Sequence, residues 1–150
     1  MLRGANAVSM DGKGRLAIPK RYREELQSTC EGLLVCTIDH HFACLLLYPL
    51  DEWEKVESRL AKLSSLNPAE RRLQRLLLGH AIECPLDSQG RILIPPTLRQ
   101  YAELESRAML VGQLNKFEIW QEARWQEQIE EDITLQTDLT ASERLSDFSL

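Results

Sequence analysis

Two nine-residue stretches, DGKGRLAIP from Asp11 and DSQGRILIP from Asp87, each set a carboxylate four residues ahead of an arginine, with a glycine directly before that arginine. These residue types suit binding rather than bond breaking. A planar guanidinium grips phosphate, or takes O6 and N7 of guanine in the major groove, and a two-stranded ribbon is narrow enough to enter that groove. Asp11 and Asp87 are short enough to accept hydrogen bonds from turn amides, and Gly14 and Gly90 allow the positive φ of a tight hairpin. Two readings of Arg15 stay open: an ion pair with Asp11 that stiffens the turn, or a contact to nucleic acid. Lys13 lies inside the same turn, with Arg3, Lys20 and Arg21 nearby in sequence. In the second copy Gln89, Pro96 and Thr97 stand in place of Lys13, Lys20 and Arg21. Arg91 is therefore expected to support the fold or to add one contact.

A second set of chemically capable residues, Cys36, His40, His41 and Cys44, reads C-x3-HH-x2-C. The ligand types suit zinc, but the spacing is not that of a familiar zinc site, and the apolar flanks CTI and CLLLY suit a hairpin with buried thiols. No metal and no cofactor is expected. His80, beside Gly79, reads as a helix-terminal histidine. No recognised motif marks a Ser/His/Asp or Cys/His set, and there is no phosphate-binding G-x-x-x-x-G-K-[ST] loop, so the chain is not expected to be an enzyme. A metal-dependent hydrolase using the Cys36 to Cys44 cluster is the enzyme-class rival; a module that binds an acidic protein or RNA is the other.

The 150 residues carry a net charge of −5, which as an average argues against a basic nucleic-acid protein. The layout says more. Residues 1–23 hold six basic side chains against Asp11 alone, a local balance of +5, whereas residues 118–150 hold nine acids against Arg124 and Arg144, a balance of −7. A basic head and an acidic tail point to polyanion contact at one end. The N-terminus MLRGANAVSM lacks the apolar run of a signal peptide, and no run approaches the ~20 residues of a membrane span, so a cytoplasmic protein with reduced thiols is expected.

The paired stretches belong to a longer repeat. A shift of 76 residues aligns Ile18-Pro19 with Ile94-Pro95, Arg23 with Arg99, and LLVC at 33–36 with MLVG at 109–112; a slip near HHFA then sets Tyr48 against Trp120 and Trp53 against Trp125. In each half an extended segment enters the glycine turn, an alternating strand leaves it, and a proline opens a short helix at its first position. Two more strands and a closing helix follow. Between the halves, DEWEKVESRLAKL places Trp53, Val56, Leu60 and Leu63 on one helical stripe. NPAERRLQRLLLG opens with Asn67 as cap, Pro68 at the first position and Glu70 as capping-box acid, and stops at Gly79. Arg71 and Arg75 on this helix read as a solvated or acid-paired face. The expected layout is a first repeat with its closing helix at 1–66, a linking helix at 67–79, a second repeat with its closing helix at 80–133, and an acidic flexible tail at 134–150 with a short helix from Ser142.

The pattern D-x-x-G-R-[IL]-x-I-P, followed by an arginine four residues after the proline, resembles the AbrB-type swapped-hairpin fold. Two such units, together with CTIDHHFACLLLYPLDEWE, NPAERRLQRLLLGHA and LVGQLNKFEIW, resemble the MraZ family of bacterial transcription regulators over nearly the whole chain, most weakly in the tail. The resemblance implies an α+β fold of two tandem AbrB-like swapped-hairpin units that form an intrachain pseudo-dimer, with a small β-barrel core and flanking helices. It implies a homo-oligomeric ring bound to double-stranded promoter DNA at short direct repeats, acting as a repressor of the cell-division and cell-wall gene cluster and associated with the nucleoid. It also tilts Lys13 and Arg15 towards DNA contact, with Arg3, Lys20, Arg21 and Arg91 as further candidates, and leaves Asp11, Gly14, Asp87 and Gly90 as turn residues. No membrane partner and no small-molecule substrate is expected.

Overall fold

The structure, a computed structural model, describes residues 1–135, 141–148 and 150. The first repeat runs β1 (Leu2–Ser9), β2 (Arg15–Ala17), α1 (Lys20–Cys30), the hairpin β3 (Leu34–Ile38) and β4 (Leu45–Pro49), and α2 (Leu50–Ala61). Then α3 (Pro68–Leu78) leads into the second repeat: β5 (Ile82–Glu83), β6 (Arg91–Leu93), α4 (Pro96–Tyr101), the hairpin β7 (Arg107–Leu114) and β8 (Phe117–Gln121), and α5 (Glu122–Leu135). A short α6 (Glu143–Ser146) follows, its Ser142 hydroxyl accepting from the Arg144 amide at 3.3 Å. The expected acidic tail falls partly on 136–140 and 149, which lie outside the described residues.

The element order matches the repeat in the sequence, and the pairing exchanges partners between repeats. β1 lies antiparallel to β7 from Leu2 opposite Leu114 to Ser9 opposite Arg107, and β5 pairs with β3, Cys36 opposite Ile82. β2 pairs with β6 as a separate two-stranded ribbon. The six-stranded sheet reads β1-β7-β8-β4-β3-β5, joined at its middle where Leu45 meets Ile119. These ladders leave the expected small barrel open between β1 and β5. The ribbon is tied to the chain just past β1 by the Met10–Leu16 bridge.

Burial explains the exchange. Leu16, Ile18, Ile92 and Ile94 are all 1% exposed or less, and they share one apolar cluster with Leu26 and Leu34 of the first repeat and Leu98, Leu110 and Phe117 of the second. Each such side chain stabilises by roughly 1.5–3 kcal/mol when fully buried, and neither repeat alone offers the opposing wall. β3 and β4 are buried along their whole length, because the shared core covers one face and α2 with α3 covers the other. Trp53, Val56 and Leu60 sit on the inner face of α2, as the stripe predicts, with Leu63 packed just past its end.

Local details differ from expectation in two places. Pro19 and Pro95 are the residues preceding the first helical turn, not its first members, with ψ of 142° and 159°. Pro96, at the first helical position, bars the helical region to Pro95, and the extended ψ at each of these two prolines keeps the strand direction for one more residue. Asn67 caps α3 through Ala69 and Glu70 amides as expected, but the Glu70 carboxylate accepts from the Ser64 amide at 3.3 Å and so closes the α2–α3 loop instead of a capping box.

Candidate nucleic-acid interface

Both turns are built alike, atom for atom. In the first, Asp11 Oδ1 accepts from the Lys13 and Arg15 amides at 3.0 and 2.9 Å, and Oδ2 accepts from Arg15 Nε at 2.7 Å. In the second, Asp87 Oδ1 accepts from the Gln89 and Arg91 amides, both at 2.9 Å, and Oδ2 from Arg91 Nε at 3.0 Å. The Arg15 amide bond, aided by its guanidinium, holds the Asp11 carboxyl down at about 2, against the slight desolvation of the turn; Asp87 is lowered by the same bonds from Arg91. Both carboxylates therefore stay ionised. The side-chain pairing expected as one reading of Arg15 is real, and it does not consume the arginine. Among the described residues only Nε is engaged, which leaves the two terminal nitrogens of each guanidinium as donors already fixed in orientation.

The glycines are required by what the other repeat brings. Gly14 has φ +89°, and a Cβ there would lie 2.6 Å from Ile94 O and 2.7 Å from Arg99 Nε. Gly90 has φ +74°, and a Cβ would lie 2.2 Å from Arg23 Nε. Ile94 N donates to Gly14 O at 2.8 Å, Ile18 N to Gly90 O at 3.0 Å, and Arg23 Nε to Ile18 O at 2.6 Å. Each turn thus packs against the arginine four residues past the other repeat's proline: Arg23 Nε is bonded to Ile18 O, whereas Arg99 Nε is buried with no hydrogen-bond partner among the described residues. Sequence reading saw Arg23 and Arg99 only as repeat markers; the 76-residue offset that aligned them was the available signal for their shared role.

Strand register then decides which way the paired arginines face. Arg15 lies opposite Leu93 and Ala17 opposite Arg91, so these four share the outward face of the ribbon while Leu16 and Ile92 fill the core. Arg15 and Arg91 are diagonal neighbours, with backbones about 7–8 Å apart by ordinary sheet geometry. Both line one hollow of about 380 Å³ with Pro85, Asp87 and Leu93. Lys13 and Gln89 are exposed at the two turn tips.

The remaining basic candidates are dispersed. Arg3 lies eight residues before Asp11 along β1, about 26 Å away at ~3.3 Å per residue. Arg21 turns to that distant end, donating to Asn6 Oδ1 at 3.0 Å and to the Tyr22 hydroxyl at 2.6 Å with its guanidinium 4.6 Å from the Tyr22 ring centre. Lys20 is exposed at the start of α1, two residues past Ile18, whose amide donates to Gly90 O.

The Cys36 to Cys44 set divides. Cys36 faces Cys84 in the main core, which pushes its thiol well up, whereas Cys44 lies in a different apolar cluster with Trp120, 3.8 Å from Asp39 Oδ2. His40 and His41 stack on each other at 3.9 Å between ring centres, on the surface. Among the described residues, no three His, Cys, Asp or Glu side chains gather to hold a metal ion. His80 Nδ1 lies 2.7 Å from Leu76 O and closes the end of α3. Arg71, Arg72 and Arg75 are exposed on α3, and among the described residues none has an ion-pair partner, so the acid-paired version of that face is absent there.

Two exchanged hairpins in one chain, with clamped arginines facing outward on a shared ribbon, define a duplicated swapped-hairpin protein of the AbrB-like class. A model of the MraZ family, described as MraZ protein, antitoxin-like, matches residues 1–76 and again residues 77–148. The chain is 60% identical over its full length to the transcriptional regulator MraZ of Tolumonas auensis, and 59% identical to those of Escherichia fergusonii and Idiomarina loihiensis, each also covered completely. The chain belongs to the MraZ family.

Proposed function

We propose that the chain is a DNA-binding transcriptional regulator, a repressor that engages short direct repeats in the promoter of the cell-division and cell-wall gene cluster. The observation that carries this reading is the outward ribbon face, where Arg15 and Arg91 stand pre-oriented by Asp11 and Asp87 with terminal nitrogens that have no partner among the described residues. Lys13 adds a further charge at the first turn, while Gln89 leaves the second turn near neutral. The names of the relatives, transcriptional regulators, agree with it. One ribbon neutralises few phosphates, and a net charge of −5 gives little long-range attraction. Several ribbons on a ring of copies, each meeting one repeat, supply the missing affinity through effective concentration. The protein then works in the cytoplasm on the nucleoid.

The test is fluorescence anisotropy on duplexes carrying one or several direct repeats, at several salt concentrations, with light scattering on the free protein. Expected are a steep fall of log affinity with log salt, much tighter binding to repeated sites, and a mass several times 17.2 kDa. Salt-insensitive binding, or a monomer at micromolar concentration that binds one repeat as well as many, overturns the reading.

A further inference from the structure

After the first repeat, α2 and the linking helix α3 form a pair with no counterpart among the described residues of the second, and a groove opens between its members. α3 is held against the end of α2 by Gln74, whose side-chain nitrogen donates to Leu60 O at 3.0 Å and Leu63 O at 3.2 Å, and against β3 by the buried Thr37 hydroxyl, which donates to Leu77 O at 2.7 Å. These bonds preform the groove. Its volume is about 410 Å³, with an apolar floor that includes Leu46, Val56, Leu60, Leu73 and Leu77. That size falls within the ~300–1,000 Å³ of small-ligand sites, and an apolar floor with a few convergent polar groups is their usual composition.

The rim supplies the chemical class. Arg59 and Lys116 border the groove, and among the described residues neither makes an ion pair; Lys116 Nζ lies 5.8 Å from the centre of the Tyr48 ring. His40 and His41 line the same mouth. The one acid of the lining, Asp39, is turned into its own loop, accepting from the His41 amide at 2.7 Å, the Phe42 amide at 3.4 Å and the Cys44 thiol at 3.8 Å. The second nearby carboxylate, Glu118, accepts from Trp120 Nε1 at 2.8 Å. Two uncommitted cations thus stand over an apolar trough.

We propose that this groove binds a small anionic amphiphile, a single apolar chain headed by a carboxylate or phosphate monoester, with the head at Arg59 and Lys116 and the chain between α2 and α3. The site is separate from the ribbon, and its test contains no DNA, so the two readings fail independently.

Intact protein is titrated calorimetrically with decanoate and decyl phosphate below their micelle concentrations, with decyltrimethylammonium as a cation of the same chain length. Saturable binding of at least one anion at one site per chain, with the cation at least tenfold weaker, is expected, and the ratio of the two anions identifies the preferred head. Arg59→Gln combined with Lys116→Gln lowers anion affinity at least tenfold. Leu63→Trp, at a half-buried position on the groove wall, fills the trough and removes binding while the protein still melts cooperatively. Absence of saturable anion binding, equal binding of the cation, or full binding in Leu63→Trp overturns the proposal. So does a Leu63→Trp protein that dissociates from a larger assembly, which assigns the groove to a second copy of the chain.

Discussion

At the scale of single residues, the aspartate of each turn decides what its arginine can do. A surface Asp–Arg pair adds little stability, but here it fixes the guanidinium without exhausting it. Arg15→Ala is expected to weaken DNA binding by about 1–3 kcal/mol per engaged ribbon, and Arg91→Ala by less, because the first turn has Lys13 where the second has Gln89. Lys13→Gln should lower affinity nearly uniformly across sequences and reduce the salt slope by about one per engaged turn. Anisotropy titrations of the three variants check this; an Arg91→Ala protein that binds like wild type removes the second turn from the interface. The pH response follows from Asp11, whose carboxyl is lowered from 3.8 to about 2. A group whose folded value is depressed stabilises above its unfolded value and loses that contribution as pH falls through the folded one. Asp11→Asn should therefore flatten the decline of the melting temperature between about pH 4 and pH 2, and leave the slope at neutral pH unchanged.

At the scale of elements, the glycine turns are the points where one repeat is fastened to the other. Gly90→Ala must relieve a positive φ and displace Arg23, so a loss of about 1–3 kcal/mol is expected, read as a lower urea midpoint. Gly12, which meets nothing within 4 Å of a Cβ, is the control: Gly12→Ala should leave the midpoint nearly unchanged. Strand and helix identities were legible in the sequence because each has a local cause: alternation in RLAIP and RILIP, the stripe from Trp53 to Leu60, the cap at Asn67. What those elements pair with was not, since RLA carries the same pattern whether its partner is β1 or β6. The repeat showed that two hairpins exist, and only the resemblance to swapped hairpins supplied the exchange. For the same reason Lys13 and Arg15 could be grouped from sequence, whereas the neighbours of Arg91 could not. The groove between α2 and α3 was likewise unreadable, because Arg59 and Lys116 are 57 positions apart in the chain and line one hollow only once it is folded.

At the scale of the whole molecule, the shared core makes the halves inseparable. Residues 1–76 alone leave β1 without β7 and β2 without β6, so that fragment should show no cooperative melt, and mixing it with residues 77–150 should restore one. Circular dichroism of the separate and mixed fragments checks this; a fragment that melts cooperatively by itself would show that each repeat carries its own core. The exchange of strands also governs how the chain comes to be folded. During synthesis β1 leaves the ribosome first, and its partner at Arg107–Leu114 is made only about a hundred residues later. Contacts of such long sequence separation close slowly, and a strand that waits for its mate can meet the same strand of another nascent chain. Refolding from denaturant should accordingly give chains closed on themselves when dilute and strand-exchanged pairs of chains when concentrated, a ratio that cross-linking of β1 to β7 after refolding at graded concentrations will record as intrachain or interchain.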